Sequence, residues 1–360
     1  MTIHDIIHLR LQNQLISDAR VKSPEEVVSW LGAMQAQDYT GARWSIGLRL
    51  QGIKDSDIDK ALASKSIVRT WPMRGTLHFV ASEDVHWILK LLTPRIISGM
   101  AGRNRQLSLD EKVFAKSEKL LVPALEGGKQ LMRSEVFKIW EDHGIKTSDQ
   151  RGIHIINYLA QKQVICHGLH NEKQATYTLL DEWVTKSRNL EGEEALAELA
   201  LRYFTSHGPA TIQDFIWWTG LKITDAKLAL NSISGKLQSS EMVGKIYWYS
   251  PELPDRVKSD AVFMLLGFDE YMLGYTDRSL ILHRDHSQKI VPGNNGMFMP
   301  TIIIGGKVRG TWKRTIKKDA VQIDFSAFEK VSQAKKHSFE VAARKYGKYL
   351  GKTVSDINWL

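Results

Sequence analysis

One pattern constrains this chain more than any other. Helices followed by a short pair of strands return three times along its 360 residues. In the first instance Ile6, Leu9, Leu11 and Leu15 fall near helical spacing. Ser23-Pro24-Glu25-Glu26 then reads as a helix start: serine can cap, proline suits the first helical position, and the glutamates favour the positive end of the helix dipole. That helix carries Val27, Val28, Trp30, Leu31 and Met34 straight into two glutamines, Gln35 and Gln37. A short helix follows from Asp55 to Ala63. "IVRTWPMRGTLHFV" changes period, so residues 74 to 80 read as a strand paired with residues near 67 to 71. "SEDVHWILKLL" begins a further helix capped by Ser82.

The second instance runs from about residue 117 to 182, with helices around Glu118 to Leu125 and Ser134 to His143. "GIHIINYLAQKQVICHG" and "QATYTLL" then read as two strands around the turn His170-Asn171-Glu172. The third runs from about 193 to 250. "EEALAELALRYFTSHGPATIQDFIWWTG" is helix, turn, helix, with Thr211 as cap and Asp214 at the third position. A helix near Ile223 to Ser232 follows, and "EMVGKIYWYS" supplies a wing strand. Helices followed by a small hairpin are a winged-helix pattern, here an internal repeat with weak identity between units. The remainder differs. "TIIIGGKVRGTWKRT" reads as two strands about Gly305-Gly306, where a type I′ turn wants positive φ at both central residues. "SAFEKVSQAKKHSFEVAARKYGKYLG" is an amphipathic helix with a basic face.

The expected fold class is α+β: three tandem winged-helix motifs and a C-terminal β-rich module carrying a basic hairpin. Residues 1–95 form winged helix 1 with the glutamine pair. Residues 96–190 hold a linking helix and winged helix 2, residues 191–258 winged helix 3, and residues 259–360 the C-terminal module with its hairpin and terminal helix.

Composition narrows the function classes. The net charge is +9, compatible with a polyanionic partner without establishing one. The single cysteine, Cys166, excludes an intramolecular disulfide and a cysteine-based metal site. "MTIHDIIHLRLQNQL" is no signal peptide, and no apolar run approaches the roughly 18 residues that span a bilayer. A cytoplasmic protein with no membrane partner is expected. The histidines show no zinc-binding spacing with a nearby carboxylate, so no metal and no cofactor are expected.

Two segments could carry chemistry. An isolated pair of glutamines is ordinarily a helix end whose amides satisfy backbone carbonyls. The stretch from Lys307 to Lys318 is the strongest electrostatic signal: Lys307, Arg309, Lys313, Arg314, Lys317 and Lys318, with no acid before Asp319 and Trp312 among them. Such a hairpin suits a phosphate backbone, with one ring able to stack or wedge. The same residues also read as a solvated strand face, with Trp312 packed against a barrel.

"VVSWLGAMQAQDYTGARWSIGLRL", "IVRTWPMRGTLHFV", "GFDEYMLGYTDRSLIL" and "GGKVRGTWKR" together resemble the winged-helix DNA glycosylases of the AlkZ type, in order and over nearly the whole chain. The resemblance implies a scaffold of three winged helices and hydrolysis of the N-glycosidic bond of N7-alkylated purines, in some members within interstrand crosslinks. It implies a catalytic pair at Gln35 and Gln37 around Ala36, in the Gln–apolar–Gln branch of the family. It also implies a duplex-probing hairpin at about Ile302 to Thr315. Double-stranded DNA is then the expected partner, bound by Lys307, Arg309, Trp312, Lys313, Arg314 and Lys317, and a monomer is expected. Asp38 is either a hidden base or a helix cap. The competing reading is a non-catalytic winged-helix DNA-binding protein or transcriptional regulator. Against it, "TDAKLALNSI" is poor in base-reading side chains at regular spacing.

Overall fold

In a computed structural model, residues 1–171, 174–252 and 261–360 are described. Glu172 of the expected turn and the expected boundary at 258/259 lie outside these residues. The chain forms two compact units, one of Ala61–Leu196 and one of Met1–Lys60 with Ala197–Leu360.

Within the unit of residues 61–196, five strands follow the order Thr76–Ala81, Ile67–Met73, Ile165–Asn171, Gln174–Leu179, Leu131–Met132. The first hairpin pairs Ile67 with Ala81 and Met73 with Thr76, so the second strand starts at Thr76 rather than at residue 74. Arg74 and Gly75 make the turn, both at positive φ (53° and 71°). Arg69 pairs with His167, which joins this hairpin to the next in one sheet. Helices Val85–Gly99, Glu111–Leu125, Arg133–Asp142 and Arg151–Gln161 complete the unit. Their core joins Trp71, Phe114, Leu121, Trp140, Ile156 and Leu159.

Two local readings are corrected here. The first half of "GIHIINYLAQKQVICHG" is helical, not a strand. Gly152, Ile155, Ile156, Leu159 and Ala160 bury one face at helical spacing, and only Ile165–Asn171 is extended. Ser82 is not a helix cap. Its hydroxyl donates to the Lys65 carbonyl at 2.5 Å, residues 82–84 form a 3₁₀ turn, and the α-helix begins at Val85.

His167 is buried in this unit between Trp71 and Tyr177. Burial first, then the charge of Arg69, hold its pKa well below the usual histidine value. The folded unit therefore keeps the ring neutral, while the unfolded chain takes up a proton below about pH 6.5. Stability is present above that pH and is lost as pH falls, by up to about 1.4 kcal/mol per pH unit. Denaturant titrations at about pH 7.5 and 5.5 should show this loss, and His167→Gln should flatten it. An unchanged acid dependence in the variant would count against the assignment.

The other unit opens with helix Ile3–Asn13, then Pro24–Leu31 capped by Ser23, then Tyr39–Leu48. After the chain returns along helix Gly192–Ser206, Thr211 and Asp214 form the expected capping box on helix Ile212–Thr219. Helix Ile223–Ile233 follows, and a hairpin of Gln238–Met242 with Lys245–Tyr249 replaces the single wing strand read from sequence. The C-terminal sheet has five strands in the order Thr353–Trp359, Ala320–Ala327, Lys307–Ile316, Thr301–Ile304, Val262–Leu265. Only the first pair is parallel. Gly305 and Gly306 take φ of 56° and 76° at the expected tight turn. Helix Gln333–Leu350 covers one sheet face, where Trp312, Ile323 and Phe325 meet Phe339 and Tyr346. Among the described residues no helix is long and apolar enough to cross a membrane.

Candidate active site

The glutamine segment is not a helix end. Gly32, at φ 80°, closes helix Pro24–Leu31, and a side chain there would also press on Trp218. Met34–Gln35 is extended, and the next helix starts at Tyr39, with Asp38 accepting from the Gly41 N–H at 3.0 Å. The pair thus sits in a short extended link between two helices. Gln35 is buried, 9% exposed, whereas Gln37 is exposed. Asp38 is the cap of the following helix.

A buried carboxylate lies behind the link. Glu270, 1% exposed, accepts the Gln35 N–H on Oε1 at 3.1 Å. Its Oε2 accepts the indole N–H of Trp218 at 2.9 Å and stands 3.5 Å from Nε2 of His207. His207 stacks on Tyr203, and its Nδ1 is 2.8 Å from the Ser206 hydroxyl. Burial lowers its pKa, while Glu270 works the other way. The preceding residue, Asp269, is equally buried and forms a double hydrogen bond with Arg49 at 2.8 and 2.9 Å. Asp269 also caps helix Glu270–Leu273 through the Tyr271 N–H. Sequence reading missed Glu270, Asp269, Arg49, Trp218 and His207 as neighbours of the site. The one available signal was the adjacent acid pair inside the apolar "GFDEYMLGY", since buried acids need dedicated partners.

The basic stretch is distributed differently from expectation. Lys307–Ile316 is the central strand of the sheet, so its residues alternate between faces. Val308, Gly310 and Trp312 are buried. Trp312 is 1% exposed, donates its N–H to the Leu265 carbonyl at 2.8 Å and meets Tyr346 edge-on. It is a core residue, and the expectation of an exposed ring among cations is corrected. Arg314 shares the parity of Trp312. It lies 3.8 Å from Asp38, with its guanidinium 6.0 Å from the Tyr346 ring. Burial pushes the Tyr346 phenol up to about 12 despite that guanidinium. Arg314 therefore borders the glutamine link instead of joining Lys313 on the other face. Lys307, Lys313 and Lys317 are exposed. Arg309 stands 3.4 Å from Glu329, and Lys313 pairs across the ladder with Asp324. The acid-free run seen in the sequence is thus partly offset by acids that the fold brings alongside.

Fold and site define a class: an α+β protein of helix–hairpin elements and a C-terminal sheet, with an amide-bearing link held from behind by a buried carboxylate. The family model described as "DNA glycosylase AlkZ-like" matches residues 28–349, and the chain belongs to that family. A curated relative, the "Interstrand DNA cross-link repair glycosylase" of Streptomyces sahachiroi, is 24% identical over 333 residues, 84% of this chain and 85% of the relative. The solved structure of "Streptomyces sahachiroi DNA glycosylase AlkZ" superposes with a TM-score of 0.84 at 20% identity, covering 100% of both chains, a likeness of fold.

Proposed function

We propose that this chain is a monofunctional DNA glycosylase that hydrolyses the N-glycosidic bond of cationic N7-alkylated purines in double-stranded DNA. Bulky adducts and interstrand crosslinks, the lesion named for its curated relative, fall within that class. On this reading residues 1–95, 96–190 and 191–258 are three winged helices, residues 259–360 are the sheet module, and the protein acts as a monomer. The observation that carries the proposal is the glutamine link itself: an extended segment between two helices, with Gln37 exposed and Gln35 tied down through its backbone.

A glutamine carbonyl takes no proton near neutral pH, so it is a poor general base. The substrate removes the difficulty. An N7-alkylguanine is already positive, and when its bond to the sugar breaks the electron pair neutralises it. The base leaves without a general acid, and the sugar becomes an oxocarbenium-like cation. Gln37 orients the attacking water, and Gln35 supports that water or the sugar. Their amide oxygens place partial negative charge toward the cation, which is positioning combined with electrostatic preorganisation. The water loses its proton to solvent after it has added. An open surface also suits a base tied to both strands, which cannot be flipped into a closed pocket.

The test is a duplex carrying one N7-methylguanine. Wild type should release free N7-methylguanine and leave the strand unbroken until alkali is added. The same duplex with plain guanine should stay intact, because nothing in the proposal protonates a neutral leaving base. Tight, salt-sensitive duplex binding without release of any alkylated base would instead favour the DNA-binding reading.

Lys307, Arg309, Lys313 and Lys317 are the residues proposed to meet phosphates. Replacing Lys313 and Lys317 by alanine together should weaken duplex binding and reduce the slope of log K against log salt by about 2, one for each contact. A slope identical to wild type would remove both lysines from the interface.

A further inference from the structure

We infer that Glu270 is a positioning residue for the glutamine link: its carboxylate fixes the Gln35 main chain and thereby sets where the amides stand. The inference rests on the glycosylase reading and deepens it.

A non-helical link of a few residues that ends on an exposed side chain orients water with two amides only if its backbone is held. Within this unit, Glu270 supplies a hold aimed at the motif. Its Oε1 takes the Gln35 N–H at 3.1 Å, and its Oε2 is fixed by the Trp218 N–H at 2.9 Å. Both oxygens have donors, which suits an ionised carboxylate that is 1% exposed. The carboxylate itself has little room to move. Its helix is pinned at the start by Asp269 against Arg49, and Tyr271 donates to the Gly306 carbonyl at 2.7 Å. On the far side, the ring of His207 is packed against Tyr203 and Trp218 and would collide with any side chain at Gly274. Gly32 meanwhile leaves the space that Trp218 occupies beside the link. Glu270 acts through Gln35 and not on the substrate.

The predicted signature separates rate from affinity. In Glu270→Ala the Gln35 N–H loses its acceptor, and single-turnover release of N7-methylguanine should slow 10- to 100-fold. Binding of the lesion duplex should stay within about twofold, because the proposed phosphate contacts lie elsewhere. Glu270→Gln keeps an oxygen for the Gln35 N–H but turns its amide NH2 toward the Trp218 N–H, donor against donor, so it should recover only part of the rate. Trp218→Phe keeps an aromatic ring but removes the N–H donor on Oε2, and should slow release about threefold or more at unchanged affinity. These two milder variants decide the matter if Glu270→Ala does not fold. Hydrogen exchange of peptides covering residues 33–38 supplies a readout independent of activity: it should speed up in Glu270→Ala or Trp218→Phe while the core strands of the sheet stay protected. If wild type releases no alkylated base, the glycosylase reading fails, and exchange alone then decides what Glu270 does. Wild-type rates in all folded variants, parallel losses of rate and affinity, or unchanged exchange would each overturn the inference.

Discussion

Arg49→Ala should destabilise the unit that carries the glutamine link by about 3 to 5 kcal/mol, the range for leaving a buried charge without its partner. Arg49 is fully buried and makes the paired contact with Asp269. It also donates to the carbonyls of Gln14 and Ser45 at 2.8 and 2.7 Å. Removing it takes the counter-charge from Asp269, which keeps only the Tyr271 N–H, and a donor from two carbonyls of buried residues. The exposed Lys138–Asp142 pair is the contrast, because water and salt screen it and its loss should cost less than about 1 kcal/mol. The two variants should therefore separate clearly in denaturant midpoint. Replacing Arg49 and Asp269 together by apolar residues of similar size should regain much of the loss, since the penalty comes from the unpaired charge. Equal, small shifts in both single variants would mean that the buried pair is not holding this region.

Gln37→Ala should slow release of N7-methylguanine by about 10² to 10³, the range for removing one preorganised dipole at a developing charge. The loss should appear in the chemical step. Gln37 is exposed and caps no helix, so its removal should cost far less stability than the loss of a buried residue. Gln35→Ala should also slow release, but its backbone N–H still reaches Glu270, so the fold of the link survives. Asp38→Asn is informative beside them. Asn caps helices about as well as Asp, so a base role for Asp38 would show as a rate loss in this variant, and a cap role would not.

Much of the scaffold was legible because local signals and burial agreed. Ser23-Pro24, Thr211 with Asp214, and Gly305-Gly306 each specify a backbone geometry through their own chemistry, and each produced the expected cap or turn. Membership of the AlkZ-like family was legible from four segments in order. The errors arose where distant contacts decide. "GIHIINYLAQKQ" has β-branched residues that suit a strand, yet its apolar face repeats at helical spacing against Trp140 and Phe114. Trp312 was open between a ring free to stack and a ring packed inward, and only its contacts with Tyr346 and the Leu265 carbonyl decide for the core. The basic run looked unopposed because Asp324 and Glu329 come alongside only when the next strand folds back. Glu270 was inside a quoted motif, but nothing local announces that its carboxylate closes on a backbone N–H 235 residues away.

The most direct test of the account uses one preparation each of wild type and Gln37→Ala, with single-turnover release of N7-methylguanine and duplex affinity measured on the same samples. The account predicts release by wild type, a rate at least about 100-fold lower in the variant, and the same affinity for both. Release by the variant at the wild-type rate would contradict it, because the chemistry would then belong to a group other than the exposed glutamine of the link.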